Sequence, residues 1–322
     1  MNLIDKVAVT SRSFSNNDHL VNELKKRYKN IKLNNTGKTL INEELYDFLK
    51  NQNKVIVGLE NFDSTLIEQL PKLKVISKFG VGLNNIDLVS MKDNGIFLGF
   101  EPGTNKQSVA ELALMHIFIA LRKVPSSKES IVNNIWSQHK GNELYGKSVG
   151  IIGFGNIGQR LLELIEPFRC KVYFYDDVDF SMEDLTSKFP SKPNNFLNRI
   201  RQKSLNEVLE KSDIISIHLP LLKDTQNLIG FNELSLMKND VKLINTSRGG
   251  IVDENALERF LKNNVNAFGS FDVFEKEPAY NHPLLDLNNF YATSHLGSMT
   301  LEGVISMGMA AIYGLDENEI PI

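Results

Sequence analysis

The stretch from Ser148 to Asp177 constrains this chain more than any other. An apolar run, Val149 to Ile152, leads into Gly153, Gly155 and Gly158 at G-x-G-x-x-G spacing. A helical pattern follows, and then a second apolar run, Val172 to Tyr175, that ends on an acid, Asp176. Strand, glycine turn, helix, strand and acid in this order make one half of a dinucleotide-binding unit. Gly153 permits the tight turn off the strand, Gly155 leaves room for a pyrophosphate beside the backbone, and Gly158 lets the helix lie close on the sheet. The helix N-terminus offers unpaired N–H groups and a positive dipole end to phosphate.

Asp176 stands 18 residues beyond Gly158, close to the offset of about 20 expected for the acid that bonds the ribose hydroxyls. An acid at this place favours NAD, because it would repel the 2′-phosphate of NADP, and no arginine follows at once to accept one. The expected cofactor is therefore NAD.

With 322 residues the chain is long enough for two domains. Its 36 basic and 39 acidic residues leave a net charge of −3, which argues against a general nucleic-acid-binding surface. The most apolar run, Leu112 to Leu121, is too short for a membrane span and contains His116, so it reads as a buried helix. One cysteine, Cys170, allows neither an internal disulfide nor a thiolate zinc cluster, and no metal site is expected. The first residues lack the basic and apolar blocks of a signal peptide, and a cytoplasmic location is expected.

Residues 1 to about 100 alternate short apolar runs with helical patterns, which predicts a parallel sheet covered by helices. Residues 107 to 122 predict a long apolar helix after the turn at Pro102-Gly103. Residues 124 to 147 read as irregular, with Trp136 as an apolar anchor: either an arm on a partner subunit or a surface loop. The glycine turn opens a second α/β series, in which Asp253 is the expected N-cap of a helix. Residues 178 to 203 are polar and long for one connection, and read as a surface excursion. The final helical pattern, 300 to 313, is expected to return to the N-terminal unit, and the end at Ile322 to leave no room for a regulatory domain.

Three polar residues follow predicted strands of the second series, where ligands lie in open α/β sheets: Arg248, Glu277 and His295. Hydride transfer to a 2-oxo acid calls for these types. An arginine can grip the carboxylate and polarise the carbonyl beside it. A histidine can give the carbonyl oxygen its proton. A carboxylate behind the histidine fixes its tautomer and stabilises its protonated form. Taken singly, each has a plainer reading: Arg248 as a surface ion pair or a helix-end contact, His295 as a structural histidine, Glu277 as part of a solvated turn. His218, at the end of another strand, suits binding and packing equally well.

The ordered stations of the chain carry a resemblance. They are Lys78 to Asp87, Asn105 through Val109-Ala110-Glu111, Leu144 to Gly158, Tyr175-Asp176 and His218-Leu219-Pro220. Asn245 to Gly250, Asp272 to Pro278 and His295-Leu296-Gly297 complete them. With these the chain resembles the D-isomer-specific 2-hydroxyacid dehydrogenase family, most of all its phosphoglycerate dehydrogenase branch. The resemblance implies that Arg248, Glu277 and His295 are the catalytic trio. It implies that Asn156, Ile157, Asp176, Leu219, Thr246, Ser247 and Asp272 touch NAD, with His218, Pro220 and Gly297 in the same motifs. Val81 and Gly82 match the loop that meets the substrate carboxylate and the nicotinamide, and Lys78 a basic residue facing the anionic end of the substrate.

The fold so implied is α/β with two doubly wound parallel-sheet domains. A Rossmann nucleotide domain, residues 102–298, is inserted into a smaller flavodoxin-like substrate domain, residues 1–101 and 299–322. A homodimer built through the nucleotide domain is expected, with a small anionic 2-hydroxy or 2-oxo acid as substrate and with neither nucleic acid nor membrane as partner. The sequence departs from the family pattern at Ser294, Ser298 and Asn84, where Pro, Gly and Asp are usual, and none of these removes a catalytic group. The expected substrate is 3-phosphoglycerate, with glyoxylate or hydroxypyruvate next. The alternative from another class is a dinucleotide-sensing, corepressor-like interaction protein.

Overall fold

A computed structural model describes residues 2–321. The chain divides into two compact units: residues up to Asn105 together with those from Ser298 on, and Lys106–Gly297. The boundaries expected from sequence lay after residues 101 and 298. The chain stays with the first unit past the Pro102-Gly103 turn, and Asn105 Nδ2 donates to Ser298 Oγ at 2.6 Å, tying the two crossing segments together.

The first unit holds five parallel strands, β1 (Asn2–Val9), β2 (Tyr28–Leu33), β3 (Lys54–Val57), β4 (Val75–Lys78) and β5 (Phe97–Gly99), in the order β2-β1-β3-β4-β5. This is the flavodoxin-like order. Successive residues of β1 serve opposite faces, as the two-residue period of a strand requires. Val7 and Val9 pack with Phe14, Leu20, Leu24, Ala311 and Ile312. Ala8 packs on the other side with Leu45, Leu49 and Ile67. Burial on both faces explains why β3 reads as an apolar run from Val55 to Val57. Ala311 and Ile312 lie on the helix Leu301–Gly314, which comes back to this unit as expected.

The second unit holds seven parallel strands, β6 (Ser148–Ile152), β7 (Lys171–Tyr175), β8 (Ile200–Gln202), β9 (Ile214–Ile217), β10 (Lys242–Asn245), β11 (Phe268–Phe271) and β12 (Phe290–Ala292). Their order is β12-β11-β10-β9-β6-β7-β8. The chain winds outward from β6 in one direction and then from β9 in the other, the doubly wound arrangement with its switch point between them. The helices Lys106–Arg122 and Asn156–Ile165 supply Ala113, Ile117, Leu161, Leu162 and Ile165 to one core with Val149, Ile151 and Phe174. Each fully buried aliphatic side chain there stabilises the unit by roughly 1.5–3 kcal/mol. Val208, Leu234 and Leu257, from three later helices, fill the other face with Ile215, Ile217 and Leu243. Asp253 caps the last of these, accepting from Asn255 N at 2.9 Å and Ala256 N at 3.0 Å.

Two stretches differ from expectation. Residues 124 to 147 contain a helix, Val124–Val132, entered through Lys123 in the left-handed region (φ 52°) with Pro125 in its first turn. None of its residues is buried, so it leaves no apolar stripe for a periodicity argument to detect. The excursion at 178–203 is structured: it contains the helices Met182–Lys188 and Asn194–Leu197, sends Phe189, Phe196 and Leu197 into the core, and ends in β8. Three residues of strand are too few to show alternation. Among the described residues no helix is long and apolar enough to cross a membrane.

Candidate active site

Every residue proposed for the second unit's site follows the carboxyl end of one of its parallel strands, the edge at which open α/β sheets hold ligands. β6 ends at Ile152 and the chain turns through Gly153 (φ 93°), where a β-carbon would press on the His218 carbonyl group. The helix Asn156–Ile165 then starts with Gly155 at its N-cap. A β-carbon on Gly155 would meet no atom within 4 Å, whereas one on Gly158 would overlap the Gly153 carbonyl oxygen. Gly158 thus serves the fold, and Gly155 leaves open space for a ligand. Gly155 and Asn156 are exposed and Ile157 half-buried at this helix N-terminus.

Asp176, just after β7, is held by the glycine turn itself: Oδ2 accepts from Phe154 N at 2.6 Å and Oδ1 from Val178 N at 3.1 Å. His218, Leu219 and Pro220 follow β9, facing Gly153 across the switch point. His218 Nε2 lies 2.9 Å from Ser216 Oγ, and burial pushes its pKa down to about 3, so the ring is neutral. Its Nδ1 is buried without a hydrogen-bond partner, and so is Thr246 Oγ1, after β10. Buried polar atoms in a native structure are normally paired. Two orphans at the sheet edge that also carries an open glycine turn and an anchored acid fit a dinucleotide, whose hydroxyl, phosphate and amide groups would pair them. Among the described residues no group of three or more His, Cys, Asp or Glu side chains could hold a metal ion.

Asn245, the last residue of β10, shapes the next turn. Its Oδ1 accepts from Ser247 N at 3.0 Å and Ser247 Oγ at 2.7 Å, and its Nδ2 donates to Arg248 O at 2.9 Å. Arg248 is partly buried, its Nη1 donating to Ser247 O at 2.7 Å. Burial lowers its pKa and the Glu277 carboxylate opposes that. An arginine so placed keeps its charge at neutral pH.

The loops after β11 and β12 carry Glu277 and His295. His295 Nδ1 lies 2.8 Å from Glu277 Oε2, and Glu277 Oε1 accepts from Phe274 N at 3.0 Å. The carboxylate can only accept, so Nδ1 carries the hydrogen and Nε2 is left to face a reactant. His295 sits in the left-handed region (φ 57°), uncommon outside glycine. Asp272, buried after β11, holds it there: its carbonyl accepts from His295 N at 2.9 Å, and its carboxylate accepts from Leu296 N at 2.7 Å and Gly297 N at 2.9 Å. The structure thus brings Glu277 and His295 into contact and sets Arg248 within electrostatic reach of Glu277.

Sequence reasoning missed several residues here. Gly249 is one: a β-carbon on it would overlap the Phe274 carbonyl group, so the Arg248 turn and the Glu277 loop meet only because position 249 is glycine. The Gly249-Gly250 doublet was a visible signal of such a close approach. His282 reads in the sequence as a loop histidine, yet its Nε2 lies 2.9 Å from Glu254 Oε2, while Glu254 Oε1 accepts from Glu275 N at 2.7 Å. That pair braces the loop carrying Glu277.

The first unit has its own candidate residues. Val81 and Gly82 lie half-buried in the loop after β4. Lys78, at the end of β4, is 6% exposed, and its amino group donates to Gly58 O at 2.6 Å and Asn85 Oδ1 at 2.7 Å. In this structure it braces the loop that contains Asn85.

The fold and this edge define a dinucleotide-binding unit of the dehydrogenase kind, with an arginine and a histidine–carboxylate pair at its ligand edge. The family model for the D-isomer specific 2-hydroxyacid dehydrogenase NAD binding domain matches residues 114–297, and the chain belongs to that family of NAD-dependent dehydrogenases. It is 33% identical over 281 residues to the glyoxylate reductase of Thermococcus litoralis, covering 83% of this chain and 81% of that protein. It is 33% identical over 272 residues to the D-3-phosphoglycerate dehydrogenase of Methanocaldococcus jannaschii, covering 84% of this chain, which spans only 50% of that relative's length. Among solved structures, an acyclic imino acid reductase (Bsp5) in complex with NADPH and D-Arg superposes with a TM-score of 0.84 at 26% identity, covering 98% of this chain and 99% of that one.

Proposed function

We propose that this protein interconverts a D-2-hydroxy acid and its 2-oxo acid, with NAD as hydride carrier, His295 as acid and base, Glu277 as its partner and Arg248 as carboxylate clamp. The observation that carries this reading is the 2.8 Å pairing of His295 Nδ1 with Glu277 Oε2 at the edge that also presents Arg248. When bound, the nicotinamide supplies or takes up the hydride at the carbon bearing the oxygen. In the reductive direction Arg248 binds the carboxylate and draws electron density toward the carbonyl oxygen. As the carbonyl carbon gains the hydride, the C=O π pair moves to oxygen, and His295 Nε2 gives that oxygen its proton. Glu277 stabilises the imidazolium before transfer and keeps the ring aimed. The reverse reaction uses neutral His295 as base on the hydroxyl.

The resemblance puts 3-phosphoglycerate first among substrates. The engagement of Lys78 with Gly58 and Asn85 supports instead a short unphosphorylated acid, glyoxylate or hydroxypyruvate. A steady-state panel of NADH with glyoxylate, hydroxypyruvate, phosphohydroxypyruvate and pyruvate separates these. Preference for an unphosphorylated acid is expected, and turnover confined to phosphohydroxypyruvate would return Lys78 to a phosphate-facing role. NADH binding without turnover of any 2-oxo acid would favour the dinucleotide-sensing alternative.

The homodimer belongs to the same reading. Val124, Ile131, Val132, Ile135 and Trp136 are all exposed, Trp136 at 85%, an apolar concentration suited to covering by a second copy. Sedimentation of a Trp136→Glu variant as a monomer beside a dimeric wild type would support that, and two identical profiles would remove it. A cytoplasmic location rests on the single cysteine.

A further inference from the structure

We propose that His116, which touches none of the reacting groups, is a positioning residue that sets the place of His295 through a buried chain of hydrogen bonds. The proposal rests on the acid–base reading of His295 and deepens it. His116 lies on the helix Lys106–Arg122 with none of its surface exposed. Its Nδ1 is 2.8 Å from Ser270 Oγ on β11, and its Nε2 is 3.1 Å from Thr293 Oγ1, two residues before His295. Thr293 Oγ1 lies 2.5 Å from Asp272 Oδ1. Asp272 in turn receives the backbone N–H groups of His295, Leu296 and Gly297 in succession. The whole turn bearing the candidate acid, with its left-handed histidine, therefore hangs on one aspartate, and that aspartate's side chain is steadied by Thr293 and His116.

The direction of each bond follows from proton counting. The Asp272 carboxylate can only accept, so the single hydroxyl hydrogen of Thr293 goes to it. Thr293 Oγ1 must then accept from His116 Nε2–H, which leaves Nδ1 bare to accept from the Ser270 hydroxyl. This order needs a neutral imidazole. Burial supplies one, pushing the His116 pKa down to about 4 against the opposing pulls of the Asp272 charge and of the Ser270 backbone.

A leucine at position 116 would fill the helix–sheet interface without desolvating a ring. Replacing a whole buried polar pair by apolar groups is often neutral for the fold, whereas removing one partner strands the others at a cost in stability. What a fully paired polar chain adds is one defined arrangement of its members. Without His116, Ser270 loses its acceptor and Thr293 Oγ1 loses its donor, so the bond from Thr293 to Asp272 is no longer braced from behind.

Two variants of the full chain test this, His116→Leu and His116→Gln, whose amide N–H can still donate to Thr293. With the best 2-oxo acid, His116→Leu is expected to lower kcat about tenfold, the scale of a small misplacement of a catalytic group. KM and the NADH dissociation constant should hold, and the loss of kcat should exceed what any fall in melting temperature explains. His116→Gln should recover most of the lost kcat. Nitrogen-15 spectra of the histidines in the resting protein give a readout free of turnover. His116 should be protonated at Nε2 and bare at Nδ1, and His295 resonances should shift or broaden in His116→Leu but not in His139→Ala. Unchanged kcat and unchanged His295 resonances in His116→Leu would overturn the proposal, as would an Nδ1-protonated His116 or a kcat loss that only follows melting temperature. If wild type and His295→Ala turn over alike, the acid–base reading has failed, and the spectra still judge the hydrogen-bond chain.

Discussion

Gly249 lies so close against Phe274 that no β-carbon fits between them, and this contact joins the turn carrying Arg248 to the loop carrying Glu277. Gly249→Ala must therefore push the two loops apart. Overpacking of this kind costs about 1–3 kcal/mol, sometimes more. We expect a lower unfolding midpoint and a fall in turnover larger than that midpoint alone explains. A fully active Gly249→Ala protein would show that the two loops need not touch.

Gly155 and Gly158 should separate ligand binding from folding. Alanine at 155 meets open space, and alanine at 158 meets the Gly153 carbonyl. Gly155→Ala is expected to keep the wild-type melting temperature and lose NADH affinity, whereas Gly158→Ala loses stability first. Calorimetric titration with NADH beside a melting curve for each variant checks the pair. Loss of stability in Gly155→Ala would contradict it.

Glu277→Gln keeps the shape of the side chain but lets its end donate as well as accept. The imidazole then loses both its fixed tautomer and the charge that stabilises the imidazolium. Acid–base catalysis contributes roughly 10²- to 10⁴-fold, and we expect kcat to fall toward that range with NADH binding unchanged. A drop of less than twofold would remove Glu277 from the mechanism.

The two buried histidines predict acid lability. Burial lowers the pKa of His116 to about 4 and of His218 to about 3, while an unfolded imidazole keeps a value near 6.5. Below about 6.5 the unfolded chain takes up protons that the native rings refuse, so stability is full above that pH and falls as pH drops toward 4. The His116 share is on the order of 3 kcal/mol as an upper bound. Urea midpoints at pH 7, 6 and 5 should fall less steeply in His116→Leu than in wild type. Parallel curves would show that His116 is not neutral in the fold.

What the sequence made legible follows from which physics leaves a local trace. The glycine turn was readable because Gly153, Gly155 and Gly158 recur at the fixed short spacing that such a turn requires. The doubly wound sheets were readable because strands buried on both faces, such as Ile214–Ile217, are almost wholly apolar, with Ser216 the one polar residue of that strand. The helix Val124–Val132 was not, because it buries none of its residues. His116 reads as one polar position on an apolar helix, since its partners Ser270 and Thr293 lie more than 150 residues away along the chain. Lys78 shows the same limit from the other side: a strand-end lysine announces a charge, but only packing reveals that it binds Gly58 O and Asn85.

The most direct test of hydride transfer with His295 as acid is isotopic. Purified protein is mixed with hydroxypyruvate and NADH carrying deuterium at the transferable position, and the glycerate formed is analysed by mass spectrometry and for chirality. Deuterium at C2 of D-glycerate, lost when His295→Ala replaces wild type, is the expected result. Glycerate formed without deuterium, or formed equally well by His295→Ala, would contradict it.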